Sequence, residues 1–381
     1  MSRTTNDLLP RHAQAHVALT RLVGGLTVGD RLPPERDLAL QLGVSRVTVR
    51  RALQTLISDG VLHARQGSGT YLQRQPPAQA RSATGLIGLS VPTVEWPTIA
   101  QIVSGVESAA QGLGLRVVLA HDHGDPTRQL AQLAALRADG VDGLLLFLDR
   151  DNVSRPDVRA ALTALREATR NIVLLDRPVP GIDLPCVMTD TFSGMYQLTR
   201  HLLAQGRRRL AVVSWGAAAG TAEQHRLAGF RAALLEYGLP AAPVRHAEVG
   251  YGDDPVVAAE RAVAGWLTEK KPPPFDAIVC FFDPLALGAF RALQRAGIRV
   301  PQQVALTGFD HVTPELYRAL GLDLTTVEQP CAQLGRVALT RLADRLAGKA
   351  SESGPAQHTL LAPTLHLRGS TGATPDSASG R

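Results

Sequence analysis

RLPPERDLALQLGVSRVTVRRALQTLISDGVLHARQGSGTYL, residues 31–72, carries the punctuation of two short helices, a tight turn and a hairpin. Pro33-Pro34 suits a helix start, where a missing N–H costs nothing, and Leu38 and Leu42 then form an apolar stripe that ends at Gly43. Ser45 is a natural N-cap for a second helix. Val49, Ala52, Leu53 and Leu56 face inward on it at helical spacing, leaving Arg46, Thr48, Arg50 and Arg51 on other faces. After Asp59-Gly60, VLHAR and TYL alternate like strands around Gln66-Gly67-Ser68-Gly69, a glycine-rich tip through which backbone can approach a ligand closely. The reading is a winged helix-turn-helix with a helix sized for a major groove.

Charge supports that reading. Residues 1–75 hold ten arginines against five acidic residues, an excess of five out of the chain's net charge of +6. Arginines concentrated on a small segment are the footprint of a polyanion, because they neutralise phosphates and release counterions. At 381 residues and 45% hydrophobic content the chain is too long for one core, so further domains follow. No apolar run approaches the roughly 20 residues of a membrane span and MSRTTNDLLPRHAQ is not a signal peptide, so the cytoplasm is the expected location. Cys186, Cys280 and Cys331 have no metal-ligand or CxxC spacing and read as buried small residues.

Residues 73–84, QRQPPAQARSAT, form a Pro- and Gln-rich linker after a DNA-binding domain at 1–72, and residues 369–381 read as a disordered tail. Between them, residues 85–368 alternate short apolar runs with helices. GLIGLSV, LRVVLA, GLLLFL and NIVLL come first, then LAVVS, VRHAEV, AIVCFF and VALTGF, with helices expected near 98–113, 126–138, 222–237 and 284–296. Strands apolar on both faces and separated by helices imply an α/β fold with two doubly wound parallel-sheet subdomains. Ligands of such sheets sit beyond the carboxyl ends of the strands, here in a cleft between the halves.

Two resemblances add to this reading. LPPERDLALQLGVSRVTVRRAL with the ARQGSGTYL wing closely resembles the GntR family over about residues 10–72. It implies operator contacts from Arg36, Ser45, Arg46, Thr48 and Arg50, and from Gln66 and Gly67 in the wing; Arg36 and Arg51 have the alternative of pairing with Glu35 or Asp37. The runs IGLSVPTVEWPTIAQIVSGVESAAQGLG, DGVDGLLLF, IVLLDRP, HRLAGFRAALLEYGLP, FDPLALGAFRALQRAGIRVPQQVALTGFDH and LTTVEQPCAQLGRVA resemble the LacI/GalR regulators and the type I periplasmic sugar-binding proteins over roughly residues 85–349. Together they resemble the arabinose-repressor type of chimera.

The second resemblance implies a ligand cleft lined by Asp176, Arg177, Arg226, Asp310 and Gln329. Carboxylate, guanidinium and amide suit adjacent hydroxyls, which points to a sugar. Where that family carries Asn-Pro before aromatics this chain has Glu95-Trp96-Pro97-Thr98, and where it carries Asn-Asp this chain has Phe282-Asp283. Glu95, Trp96 and Phe282 therefore join the candidates, the aromatics stacking on a sugar face or a base, or simply packing. The resemblance implies a homodimeric repressor of double-stranded operator DNA released by a sugar-like inducer, with co-repression, a nucleoside or purine ligand, and a ligand-free dimeric scaffold as alternatives. An enzyme is disfavoured: a pyridoxal-phosphate fusion needs a buried strand-end lysine, and Lys270, Lys271 and Lys349 are wrongly placed. No GxSxG or GxxxxGK[ST] occurs. No cofactor is called for and no metal ligands are assigned; His121-Asp122-His123 is metal-like in composition but reads as a solvated loop.

Overall fold

The computed structural model describes residues 19, 22–23, 26–58, 60–65, 69–74, 84–169, 171–215, 221–247, 253–269, 275–349 and 356–372. Contacts divide the chain into Met1–Ala83 and Thr84–Arg381. In the first unit α1 (Glu35–Leu42) and α2 (Arg46–Ser58) precede the antiparallel strands β1 (Leu62–Arg65) and β2 (Gly69–Leu72). Gly43 ends α1 at φ 65°, a left-handed conformation open to glycine, and Thr48 N donates to Ser45 Oγ at 3.2 Å, satisfying one orphan donor of α2. Val49, Ala52, Leu53 and Leu56 are the buried residues of α2, joined by Leu38, Leu32, Leu62 and Leu72 in one core. The tip residues Gln66 and Gly67 lie outside the described residues.

The second unit contains two parallel sheets. The first has the order β13-β7-β6-β5-β3-β4, with β3 (Leu86–Val91), β4 (Arg116–His121), β5 (Gly143–Leu146), β6 (Ile172–Leu175), β7 (Cys186–Thr189) and β13 (His358–Leu361). The second has the order β11-β10-β8-β9, with β8 (Leu210–Ser214), β9 (Val244–His246), β10 (Ala277–Cys280) and β11 (Ala305–Thr307). β5, β6, β7, β8, β10 and β11 are buried throughout, as strands sandwiched between helix layers must be. On the first sheet α3 (Pro97–Gly112) and α11 (Cys331–Leu346) cover one face, and α4 (Pro126–Ala138) and α5 (Pro156–Ala168) the other. On the second sheet α6 (Thr191–Ala204) and α7 (Thr221–Glu236) oppose α8 (Pro255–Glu269) and α9 (Asp283–Arg295). A short α10 (Pro314–Ala319) precedes a small antiparallel ribbon of β12 (Thr326–Glu328) and β14 (Thr364–His366).

The halves are not contiguous in sequence. After β7 the chain crosses to the second sheet, but α11 returns to pack on α3 and β13 pairs with β7, so the first half is completed by residues after the second. Three helix pairs meet at glycines that leave no room for a side chain. A Cβ at Gly105 or Gly335 would fall 2.0 and 2.2 Å from Ala332 O and Ile102 O between α3 and α11. Gly229 and Gly288 play the same part for α6/α7 and α8/α9, with Phe192 O and Val256 O both at 2.2 Å.

Two expectations need correction. Gly369–Thr371 is a 3₁₀ turn and not tail: Ser370 and Thr371 are 3% exposed, Ser370 Oγ donates to Leu306 O at 2.6 Å, and residues 373–381 lie outside the described residues. Hydroxyls that bond inward let a polar segment pack, which composition alone does not reveal. Nor is His121-Asp122-His123 a solvated loop throughout. Asp122 is 0% exposed, accepts from Gly124 N at 2.8 Å and Gln129 Nε2 at 3.0 Å, and burial pushes its carboxyl up to about 6.

Candidate functional site

A cavity of about 180 Å³ lies between the two sheets of the second unit, at the carboxyl ends of their strands. At ~15 Å³ per water position this is room for about a dozen waters, the scale of one or two sugar rings. Of the eight ligand residues expected from the sequence, Trp96, Asp176, Arg177, Arg226, Phe282, Asp310 and Gln329 line it. Glu95 is exposed and does not line it; its backbone N donates to Thr93 Oγ1 at 3.1 Å.

The strand ends position these groups. Asp176 follows β6 at φ 68° and Asp310 follows β11 at φ 99°. Neither conformation is comfortable for a residue with a Cβ, and strain of this kind persists where the surroundings over-determine it, commonly at ligand sites. Asp310 Oδ1 accepts from Arg226 Nη2 at 3.1 Å and from Gln329 Nε2 at 2.7 Å. Arg226, on α7, also donates to Phe281 O, lies 4.0 Å over the Phe309 ring, and keeps a buried Nε with no hydrogen-bond partner among the described residues. Burial pushes the Asp310 carboxyl upward against the pull of Arg226 and Gln329. A buried donor without a partner beside a carboxylate is a place where a ligand hydroxyl would be accepted. Across the cavity Arg177 Nη2 donates to Asp176 Oδ2 at 2.7 Å, and its guanidinium sits 5.4 Å from the Phe147 ring.

Aromatic side chains close the rest. Trp215 and Phe282 stack with centroids 4.3 Å apart and 23° between planes, and Trp96 from the other half leans on Trp215 at 5.0 Å. Arg150 caps this group, its guanidinium 4.9 Å from the Trp215 ring and its Nη1 donating to Glu223 Oε1 at 3.4 Å. Phe147, Asp149, Arg150, Trp215 and Glu223 were not among the expected residues. Asp149, Arg150 and Trp215 follow an apolar run, so the strand-end rule already pointed at their loops, whereas Phe147 lies inside the run GLLLFL, which continues past the end of β5. Asp283, adjacent to Phe282, is 1% exposed and accepts from Thr326 Oγ1 at 2.6 Å and Val312 N at 2.8 Å, which makes it a structural hub away from the cavity wall.

In the first unit Arg36, Ser45, Arg46 and Arg50 are exposed and Thr48 is half-buried. Arg50 is held by α1: its Nη2 donates to Glu35 Oε2 at 2.9 Å and its Nε reaches both carboxylate oxygens at 3.2 Å. The partner of Glu35 is thus Arg50, and that guanidinium keeps the carboxyl below its ordinary range. Helix geometry explains it, since α1 and α2 cross where these two residues face each other, a proximity that sequence neighbours of Glu35 do not have. Among the described residues no helix is long and apolar enough to cross a membrane.

Comparison with known proteins agrees with this architecture. Residues 84–360 match the family of periplasmic binding proteins and sugar binding domain of the LacI family, and residues 20–72 match the gntR family of bacterial regulatory proteins. The HTH-type transcriptional repressor PurR of Erwinia tasmaniensis is 32% identical over 331 residues, 84% of this chain and 92% of its own. A solved structure of an uncharacterized protein from Actinobacillus succinogenes shares 27% identity with a TM-score of 0.64, covering 76% of this chain and 99% of that one. The transcriptional regulator CelR in complex with cellobiose shares 25% identity with a TM-score of 0.63, covering 89% of this chain and all of that one.

Proposed function

Because this chain belongs to the family of LacI-type sugar-binding domains, with a gntR-family head in front of it, we propose that it is a repressor released from operator DNA by a sugar-like inducer. That it is a ligand-responsive DNA-binding regulator follows from the family and its repressor relatives. The inducer class rests on one observation: a buried carboxylate, guanidinium and amide, Asp310, Arg226 and Gln329, converge on a cavity whose other wall is Trp96, Trp215 and Phe282. Polar groups that fork onto neighbouring hydroxyls and rings that cover a C–H face are the two halves of carbohydrate recognition. Asp176 and Arg177 complete the polar set. The chain acts by binding and not by catalysis in this reading, as a homodimer whose two heads meet a two-fold-related operator. Ligand must favour one arrangement of the two lobes over the other, with a coupling of about 1 to 3 kcal/mol.

The near-parallel Trp215/Phe282 pair favours one other ligand class, a flat nucleobase. Thermal-shift screening of the full chain against pentoses, hexoses, disaccharides, nucleosides and purines separates the two. Stabilisation by a saccharide that also weakens operator binding supports an inducer; stabilisation by a purine alone, or tightening of the complex, replaces it. Silence across the panel leaves a ligand-free scaffold.

For the head, Arg36, Ser45, Arg46, Thr48 and Arg50, with Gln66 and Gly67 of the wing, are the proposed operator contacts. Arg46→Ala is expected to reduce the slope of log affinity against log salt by about one, because one fewer counterion is released. A slope equal to that of the unsubstituted chain in fluorescence anisotropy would remove Arg46 from the interface.

A further inference from the structure

The tertiary fold assembles a second group of chemically capable side chains outside the cavity. His311, Glu328 and His366 each offer one ligand atom, and these atoms all lie within 4.8 Å of one another. His311 follows Asp310 in the loop after β11, Glu328 ends β12 directly before Gln329, and His366 ends β14, the antiparallel partner of β12. The two imidazoles stack at 4.0 Å with 10° between planes, and His366 Nε2 donates to Glu328 Oε2 at 2.7 Å. His311 Nδ1 is buried with no hydrogen-bond partner among the described residues. Burying a ring nitrogen unpaired is costly, and hydrogen bonds within the trio do not relieve it.

We propose that His311, Glu328 and His366 form a binding site for a divalent transition-metal ion of the zinc type. Two imidazole nitrogens and one carboxylate oxygen are a donor set for such a borderline ion, which takes Zn–N and Zn–O bonds of about 2.0 to 2.2 Å and leaves a further position for water. Rotation of the two stacked imidazoles toward each other would bring the three atoms, now within 4.8 Å of one another, to that spacing, with the metal replacing the proton now shared between His366 and Glu328. Arg368, whose charge also acts on His311, is engaged by Asp323 at 3.6 Å. The ion would tie the loop after β11 to the β12/β14 ribbon. Its ligands His311 and Glu328 are the chain neighbours of Asp310 and Gln329, which are hydrogen-bonded to each other at 2.7 Å. Occupancy therefore bears on the cavity, and by linkage the coupling is reciprocal. The inference does not depend on the chemical class of the inducer.

The test is titration of the full-length, tag-free chain with zinc chloride alone, followed calorimetrically. One equivalent per chain is expected, with affinity weakened at least tenfold in His311→Gln and in His366→Gln, and unchanged when His121 and His123 are both replaced by Gln. Absence of zinc binding, or binding that survives both ligand substitutions, overturns the proposal. Should the variants lose their circular dichroism, diethyl pyrocarbonate labelling of the unsubstituted chain decides: zinc is expected to protect the peptide containing His366 while exposed His225 stays reactive. Equal labelling of both with and without zinc overturns the site.

Discussion

A full-length chain carrying Asp310→Ala is expected to lose at least about a hundredfold in affinity for its effector, about 2.7 kcal/mol. The carboxylate accepts from Arg226 and Gln329 at 3.1 and 2.7 Å, in a pair whose side chains are only 10% and 15% exposed. Solvent screens such a pair little. Removing the carboxylate strands the guanidinium, which is already short of a partner at Nε, and an uncompensated buried charge costs about 3 kcal/mol or more. The ligand-free chain should therefore also melt earlier. Asp310→Asn separates the two effects: its amide oxygen can still accept from Gln329, so less stability is lost, but the charge that orients Arg226 is gone and affinity still falls at least about tenfold, ~1.4 kcal/mol. Calorimetric titration with the effector found by screening, read beside the thermal midpoint without ligand, is the measurement. Undiminished affinity in both variants would take the Asp310–Arg226–Gln329 group out of the binding site.

Gly335→Ala is expected to destabilise the second unit by about 3 kcal/mol, the upper part of the range for overpacking a tight interface. The added carbon would sit 2.2 Å from Ile102 O and 2.8 Å from Val106 N. Both obstacles are backbone of α3, so no side chain can swing aside and the helices must part. Reciprocal contact at Gly105, where the obstacle is Ala332 O at 2.0 Å, leaves no slack to take up. At roughly 2 °C per kcal/mol for a unit of this size, a fall in Tm of about 6 °C follows. Ile99, Ile102, Cys331 and Leu334 carry this helix contact to the cavity wall, so effector affinity should weaken as well. Gly265→Ala in α8 is the matching control: nothing lies within 4 Å of its added carbon, and the lower conformational entropy of the unfolded chain should stabilise by ~0.5 kcal/mol. Equal melting temperatures for the two variants would show that the glycine contact does not govern the packing of α3 on α11.

The parts of the molecule that were legible in the sequence are those in which a local rule acts. Val49, Ala52, Leu53 and Leu56 repeat at helical spacing, and α2 buries those residues. LAVVS and the apolar stretch around AIVC are continuous because parallel strands have helices on both faces, and β8 and β10 are buried along their length. The strand-end rule then led to the cleft, and the resemblance to the LacI/GalR regulators supplied Asp176 and Asp310, which follow such runs and line the cavity there. What stayed out of sight depends on pairings between distant segments. Arg50 and not a sequence neighbour meets Glu35, because the crossing of two helices sets that distance. Arg150 reaches Glu223, and Trp96 reaches Trp215, because two lobes built from interleaved stretches of chain face each other.

Composition, periodicity and punctuation by themselves determined a basic helix-turn-helix head, a doubly wound second part and a cleft at its strand ends, since each follows from the energy of burying one face or ending one element. Only the tertiary structure decided that α11 and β13 complete the first lobe, that Asp283 is a structural hub beside a cavity-lining Phe282, that Glu95 does not line the cavity, and that His311, Glu328 and His366 converge. Those outcomes are set by contacts between residues far apart in the chain, whose closure cost and geometric fit no local pattern records.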